Sequence, residues 1–251
     1  MRQFTHILWA IGLLILSIPV TAQNAKDIIR KAEEVRRGVN SAQGEMTMTI
    51  IRPNWTRSMS MKSWSSGDEY ALILVTAPAK DKGIATLKRE KQVWNWLPKA
   101  QRTMKMPPSA MSQSWMNSDF TNDDLVREAS IITDYDQAVL KDSVIEGRTC
   151  WKIELIPHED SDIIWGRVVS FIDQKDYLTL RSEFFDEDGY LVNILNASEV
   201  KVMGGKTFAT RMEMVPVEKK GHKTVIEYKS LQFDKKIPEN YFSVANLKRV
   251  R

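Results

Sequence analysis

Cysteine and histidine are scarce in this chain, which has one Cys and three His in 251 residues. A single Cys cannot form an intrachain disulfide or a thiolate zinc cage, so a disulfide framework is excluded. Three His leave little material for imidazole catalysis or a His-rich metal site. The excess of positive charge is also small, since 36 Lys and Arg face 32 Asp and Glu, and we expect it to be spread evenly. An even spread argues against an extended nucleic-acid surface.

Long apolar runs are missing except at the N-terminus. Residues 7–18 carry no charge, Arg2 precedes them, and small residues follow up to Ala22. This pattern is typical of a secretory signal peptide and is short for a membrane helix, although an uncleaved anchor is the alternative. We expect cleavage after Ala22, which predicts residues 1–22 as signal peptide and residues 23–251 as one exported domain. No later stretch is long and apolar enough to span a bilayer.

Catalytic and metal-binding motifs are missing as well. The chain has no G-x-S-x-G, P-loop, G-x-G-x-x-G or H-E-x-x-H pattern. The run from His158 to Asp162 contains ligand types, but adjacent ligands do not converge on a cation, so we expect a solvated loop. Asp186 to Gly189 lacks the first Asp of a calcium loop and is predicted to be a hairpin turn. We therefore expect no enzyme, no metal and no cofactor, with Cys150 as a structural thiol.

What the sequence does contain is a series of short apolar strands after one amphipathic helix. The helix is predicted over residues 24–39, with Ile28, Ala32, Val35 and Val39 at helical spacing. Turn residues separate the strands, as in an antiparallel meander. So many strands exceed what a flat twisted sheet tolerates, so we expect a mainly β chain with a few helices (α+β), curled into an unclosed antiparallel β-barrel. The predicted strands are residues 46–50, 58–61, 69–76, 83–87, 92–97, 144–146, 150–156, 167–173, 178–185, 191–203, 207–217 and 222–233.

Residues 98–137 interrupt this series. Pro107 and Pro108 break any strand, and residues 119–125 are typical of the start of a short helix, with Asp119 or Asn122 as its N-cap. A long segment without strands inside a compact domain is usually functional, so we predict a helical lid, with a rigid connector as the alternative. The lid and hinge candidates are Met111, Trp115, Ser118, Asp119, Phe120 and Leu125.

Methionines recur in pairs two residues apart, and such a pair points to one face of a strand. Met212 and Met214 form one of four pairs. Methionine is unbranched and polarisable, so a methionine-lined sheet adapts to ligands of variable shape such as acyl chains; gap filling in an ordinary core is the alternative. Trp94 and Trp96 also share a face. The predicted cavity residues are Met46, Met48, Met59, Met61, Trp94, Trp96, Met104 and Met106.

Several motifs together resemble a known family. Thr76-Ala77-Pro78 is followed by residues 93–98, which read VWNWLP, and then by residues 117–125, which read NSDFTNDDL. The latter is close to the pattern G-S-D-F-(S/T)-x-x-D-L, with Asn117 where Gly is common. Residues 237–242, IPENYF, complete the set. These motifs resemble the bacterial LolA/LolB-like lipoprotein carriers, and more specifically the outer membrane lipoprotein-sorting group.

The resemblance implies an unclosed barrel whose helical lid covers an apolar cavity for acyl chains. It implies a periplasmic carrier that passes a lipoprotein or lipid toward the outer membrane, with an inner-membrane exporter and an outer-membrane acceptor as partners. The family's cavity arginine lies in an R-P pair; Arg52-Pro53 is similar but is expected at a turn, so that role is not transferred. The alternative is a non-transporting lipid-sensing or accessory domain that works with an inner-membrane protein.

Overall fold

The computed structural model describes residues 21–37, 40–67, 69–90, 92–122, 124, 130–161 and 163–250, and the predicted signal peptide falls mostly outside them. Short 3₁₀ turns lie at residues 98–100, 108–110, 115–117, 130–132 and 239–242. The helices and strands are α1 (Thr21–Arg37), β1 (Ser41–Arg52), β2 (Trp55–Ser66), β3 (Tyr70–Ala77), β4 (Ala85–Arg89), β5 (Gln92–Leu97), β6 (Arg102–Lys105), β7 (Tyr135–Val139), β8 (Ser143–Ile145), β9 (Arg148–Pro157), β10 (Arg167–Asp173), β11 (Thr179–Phe185), β12 (Leu191–Met203), β13 (Lys206–Pro216), β14 (Lys223–Phe233) and α2 (Val244–Leu247).

One antiparallel sheet contains all 14 strands of the described residues. Its order is β6-β5-β4-β3-β2-β1-β14-β13-β12-β11-β10-β9-β7, with β8 paired to β9. The first and last long strands therefore pair at the centre, while β6 and β7 are the edges of the described sheet and do not pair with each other. The prediction of a mainly β chain with an unclosed sheet is confirmed.

Two strands inside the predicted interruption were not expected. Arg102–Lys105 pairs with β5 as an edge strand, and Tyr135–Val139 pairs with β9. Both are short, and β6 carries polar or charged residues at three of its four positions, so neither has the apolar pattern of a central strand. The predicted helix is confirmed with an earlier start, since it runs from Thr21 to Arg37, and Val39 lies outside the described residues.

The register assigns side chains to two faces, because directly paired residues point to the same side of a sheet. Met46 pairs with Met61 and Met48 with Met59, so one face carries all four. We call it the methionine face. The remaining methionine pairs, at 104/106 and 212/214, lie on this face too: Met212 pairs with Ile226 opposite Met48, and Met104 pairs with Asn95, whose amide donates to Met106 Sδ. A period of two thus brings eight methionines to one side.

Helix α1 covers the far end of the methionine face. Its buried stripe, Ala25, Ile28, Ile29 and Ala32, packs on Ile153, Leu155, Val168 and Ile172 of β9 and β10. Along the register, Val168 pairs with Phe184, and Phe184 pairs with Asn193, which places this contact on the same face as the methionines. The apolar stripe of the predicted amphipathic helix is thus buried against the sheet.

The opposite face is covered by the C-terminal segment. Phe242, Leu247 and Val250 are buried against β3 and β4, and Trp64, Trp94 and Trp96 pack beside them. We call this side the tryptophan face. No helix in the described part of the chain is long and apolar enough to cross a membrane.

Candidate functional site

The candidate site lies where residues 107–122, which we call the lid segment, pack across the methionine face. Trp115 and Phe120 are 3% and 6% exposed and contact the cluster of Met46, Met48 and Met61. A backbone hydrogen bond of 2.8 Å from Trp115 N to Phe120 O closes the turn between the two aromatic residues. The lid segment therefore presents two rings to the sheet from one tight turn.

The two rings fill the space above the methionines. Met48, Met59 and Met61 are at most 1% exposed, and the indole of Trp115 donates to Thr86 Oγ1 on β4 at 3.4 Å. This part of the methionine face is a closed, packed core with the lid segment as its outer layer. Any acyl chain bound here must take the place of Trp115 and Phe120.

One polar cluster ties the lid segment to the centre of the sheet. Asp119 Oδ2 accepts hydrogen bonds from Arg52 Nη1 at 2.8 Å and from Thr224 Oγ1 at 2.7 Å. The Asp119 amide donates back to Thr224 Oγ1 at 2.9 Å, and Arg52 Nη2 donates to the Asn117 carbonyl at 3.0 Å. We call Arg52, Asp119 and Thr224 the latch.

The latch is largely buried, with Arg52 and Asp119 at the wall of a cleft. The side chains of Arg52 and Asp119 are 11% and 6% exposed, and Thr224 is fully buried. A charge-assisted hydrogen bond in such surroundings is stronger than a neutral one. Since Arg52 ends β1 and Thr224 lies on β14, the latch joins the lid segment to the central strand pair.

The two predicted N-cap residues, Asp119 and Asn122, form other contacts in the described structure. Asp119 bonds to the latch, while Asn122 donates its side-chain amide to the Ala110 and Gln113 carbonyls and so holds the loop together. The reciprocal pair is instead Thr121 and Asp124: Thr121 N donates to the Asp124 carboxylate at 2.7 Å, and Asp124 N donates to Thr121 Oγ1 at 3.0 Å. This is the geometry of a capping box. Leu125, the last lid candidate, lies outside the described residues.

The backbone also turns sharply here. Met116 and Asn117 have φ angles of 52° and 64°, in the left-handed region that favours Gly and, next, Asn. Asn117 stands where the resembling family has Gly, and its conformation explains why that exchange is tolerated. Ser118 is 2% exposed and accepts a bond from Phe120 N at 3.1 Å, so the turn is internally satisfied. Met111 lies half-buried just after the turn at 108–110.

A cleft of about 620 Å³ opens beside the latch. On the lid side its wall is polar, with the serines at 112, 114 and 118, and elsewhere it contains Trp165 of the loop between β9 and β10 and Asn193 of β12. None of the eight predicted cavity residues lines it. The open space and the apolar core are therefore separated by the lid segment.

The predicted cavity residues divide between the two faces. Trp94 and Trp96 pair with Lys105 and Thr103, whereas Met104 pairs with Asn95. The tryptophans therefore belong to the tryptophan face, and the expectation that they share a face with Met104 and Met106 is wrong. The six methionines of the prediction do lie together.

Arg52 and Thr224 are the site residues that sequence reasoning missed. Arg52 ends β1 at the predicted turn, and its side chain reaches back over the sheet to the lid segment. The R-P pair was the available signal, and it was set aside because of the turn. Thr224 carries no local signal, since its role depends on the pairing of Ile50 with Thr224.

The other candidate groups lie in ordinary structural positions. Cys150 is fully buried, and burial raises the pKa of its thiol, with the charge of Asp173 adding to the shift. His158 Nε2 lies 3.3 Å from Asp136 Oδ1 in an exposed turn, and Asp162 lies outside the described residues. Asp186 accepts from Tyr190 N in the hairpin between β11 and β12, as the predicted turn requires. Within the described ranges, no group of three or more His, Cys, Asp or Glu side chains is placed to hold a metal.

Comparison with known proteins agrees with this fold. A family model, described as an uncharacterized-protein-like family, matches residues 67–249. A DUF1329 family protein from Desulfovibrio piger superposes with a TM-score of 0.82 at 22% identity, covering 90% of this chain and 98% of that one. A domain named for outer membrane lipoprotein sorting from Vibrio parahaemolyticus gives 0.81 at 24% identity, covering 91% and 100%. A LolA superfamily protein from Nitrosomonas europaea gives 0.75 at 23% identity, covering 90% and 99%. No curated protein matches the chain.

Proposed function

We propose that this chain is a periplasmic carrier of acylated cargo. The chain belongs to the uncharacterized-protein-like family whose model matches residues 67–249, and it has the fold of the LolA superfamily. It binds the acyl chains of a lipoprotein or lipid against the methionine face and passes them toward the outer membrane. An inner-membrane exporter would supply the cargo and an outer-membrane acceptor would receive it. The observation that supports the proposal is the lid segment, which buries the two aromatic rings of Trp115 and Phe120 against the methionine face. In the proposed function an acyl chain takes the place of these rings.

The free energies of burial support an exchange in which cargo replaces the two aromatic rings. Removing a large aromatic side chain from a core costs about 3–5 kcal/mol, which sets the scale for displacing Trp115 or Phe120. Each methylene taken out of water contributes about 0.8 kcal/mol. About ten buried methylenes therefore offset the displacement of both rings. An acyl chain of ordinary length is sufficient, and binding remains weak enough for release.

The methionine face suits this exchange because its side chains can repack. Met46, Met48, Met59 and Met61 are unbranched, and their thioethers are polarisable, so they can follow a chain of variable length and unsaturation. Branched aliphatic side chains in those positions would hold one shape. The latch, at one end of the lid segment, would then set how often the face opens.

The test is native mass spectrometry of the protein purified from its own cell envelope, followed by lipid extraction. We expect a bound mass that corresponds to a lipid or an acylated peptide, lost in a variant with Met104→Asp at a half-buried position of the methionine face. The matched control, Val202→Asp, changes a side chain that is 76% exposed. A ligand-free wild-type protein that also fails to take up a fluorescent fatty acid would contradict the proposal.

A further inference from the structure

Positive charge is concentrated in two segments of this chain. Residues 80–105 and 235–251 together contain 13 Lys and Arg but only three Asp and Glu, whereas the whole chain has 36 and 32. The remainder consequently has more acidic than basic residues. The even spread expected from the small net charge is therefore wrong.

The fold brings these two segments to one end of the sheet. The C-terminal segment packs on β3 and β4, and the turn between β3 and β4 lies against the one between β5 and β6, since a Cβ on Gly83 would meet Pro98 at 3.4 Å. Five exposed cations occur on these turns and on the edge strand β6. We call them the basic corner: Lys80, Lys82, Lys99, Arg102 and Lys105.

The basic corner is not neutralised by neighbouring carboxylates. Among the residues that the structure describes, none of its five cations forms an ion pair. The nearby acids are engaged elsewhere: Asp81 is bound to Arg57 at 2.8 Å, and Glu239 is bound to Arg89 at 2.7 Å. The charge of the corner is thus available to a partner.

Two indoles lie on the same side as part of this charge. Lys105 Nζ is 5.8 Å from the ring centroid of Trp94, and Lys248 Nζ is 5.6 Å from that of Trp96. Both indoles are half-buried. Indole rings have an apolar body and a polar N–H, which favours the boundary between water and lipid.

We propose that the basic corner and its tryptophans form a docking surface for a membrane rich in anionic phospholipids. The cations are distributed over two turns and an edge strand, outside the cleft, so they suit an extended anionic surface better than a single bound ion. Lys and Arg near an anionic bilayer each favour binding about fivefold, and Trp adds contact at the headgroup level. The surface runs along the edge strand β6, with Lys105 on the tryptophan face and Arg102, two residues from Met104, on the other side, and it does not depend on the identity of the cargo.

The test measures partition of the exported protein onto vesicles by sedimentation. We compare vesicles rich in phosphatidylglycerol with vesicles of phosphatidylcholine alone. The variant Lys82→Gln/Lys99→Gln/Arg102→Gln should bind the anionic vesicles on the order of a hundredfold more weakly. The matched control, Lys141→Gln/Lys175→Gln/Lys220→Gln, removes the same charge from exposed positions elsewhere and should lose less than about threefold. High salt should release the wild-type protein, because the attraction is screened.

Three results would overturn the proposal. The first is a wild-type protein that does not bind anionic vesicles. The second is an equal loss of binding in both triple variants, and the third is unchanged binding in the variant of the basic corner. Capture by poly-aspartate through the same three cations, without vesicle binding, would assign the corner to an acidic protein partner instead. Thermal melting of both triple variants checks that they fold. A wild-type protein that docks on anionic vesicles but binds no acylated cargo would count against the carrier proposal alone.

Discussion

At the scale of single residues, Asp119 ties the lid segment to the sheet. Its carboxylate bonds to Arg52 and Thr224, and its amide bonds to Thr224, so one residue links the lid to both central strands. The sequence predicted that Asp119 matters but assigned it to a helix cap. The reason is that caps are local patterns, whereas the partners of Asp119 are 67 and 105 positions away along the chain.

Asp119→Ala should speed the release of bound lipid. A hydrogen bond to a charged group is worth about 1.5–3 kcal/mol, so loss of the latch predicts release roughly 10–100 times faster. The sheet pairings do not depend on this carboxylate, so the main melting transition should stay nearly unchanged. Stopped-flow release of a fluorescent fatty acid measures the first quantity and calorimetry the second.

The control for this variant is Asp188→Ala, which removes an equal charge from an exposed hairpin. It should leave the release rate at the wild-type value. Wild-type release from Asp119→Ala, or early melting of the whole domain, would mean that the cluster is only a structural ion pair.

At the scale of strands and turns, the sequence predicts which residues share a face within a strand but not across strands. The methionine pairs were predicted correctly, since a period of two needs no knowledge of the register. Trp94 and Trp96 were placed with Met104 and Met106, which is wrong because the four-residue turn at 98–101 pairs Leu97 with Arg102. A shift of one residue in that turn would have moved Met104 to the other face. The face that each residue of β6 reaches therefore depends on the geometry of this turn, in which Gln101 takes a φ of 47°.

Trp96→Ala should therefore mainly lower the free energy of unfolding, whereas Met104→Ala should mainly weaken fatty-acid binding. Trp96 packs with the C-terminal segment, so its truncation should lower the free energy of unfolding by about 1–3 kcal/mol and leave fatty-acid affinity unchanged. Met104 is half-buried on the methionine face, so its truncation should weaken fatty-acid binding severalfold with a smaller loss of stability. Urea unfolding and fluorescence titration provide the two measurements. Weaker binding in Trp96→Ala than in Met104→Ala would contradict the assignment of faces.

At the scale of the whole molecule, two covers of different chemistry lie on one face of the open sheet. Helix α1 is held at one end by the apolar stripe of Ala25, Ile28, Ile29 and Ala32. The lid segment is held at the other by two rings and the polar latch. The open sheet and the covering helix could be predicted because they follow from periodicity, while the latch could not, since it needs the three-dimensional register. The asymmetry suggests a fixed cover at α1 and a movable one at the lid.

The position of α1 also bears on export. Cleavage after Ala22 would remove the first two residues of the helix, Thr21 and Ala22, whereas the buried contacts described for the helix start at Ala25. The mature chain would therefore keep these described contacts with the sheet, and its N-terminus should be Gln23-Asn24-Ala25. N-terminal sequencing of protein from the periplasm measures this directly.

Ala22→Arg, which removes the small residue that signal peptidase requires, should leave an uncleaved precursor, while Lys26→Gln on the exposed side of the helix should be processed normally. An intact Met1 on the wild-type protein would contradict cleavage and would favour an N-terminal anchor.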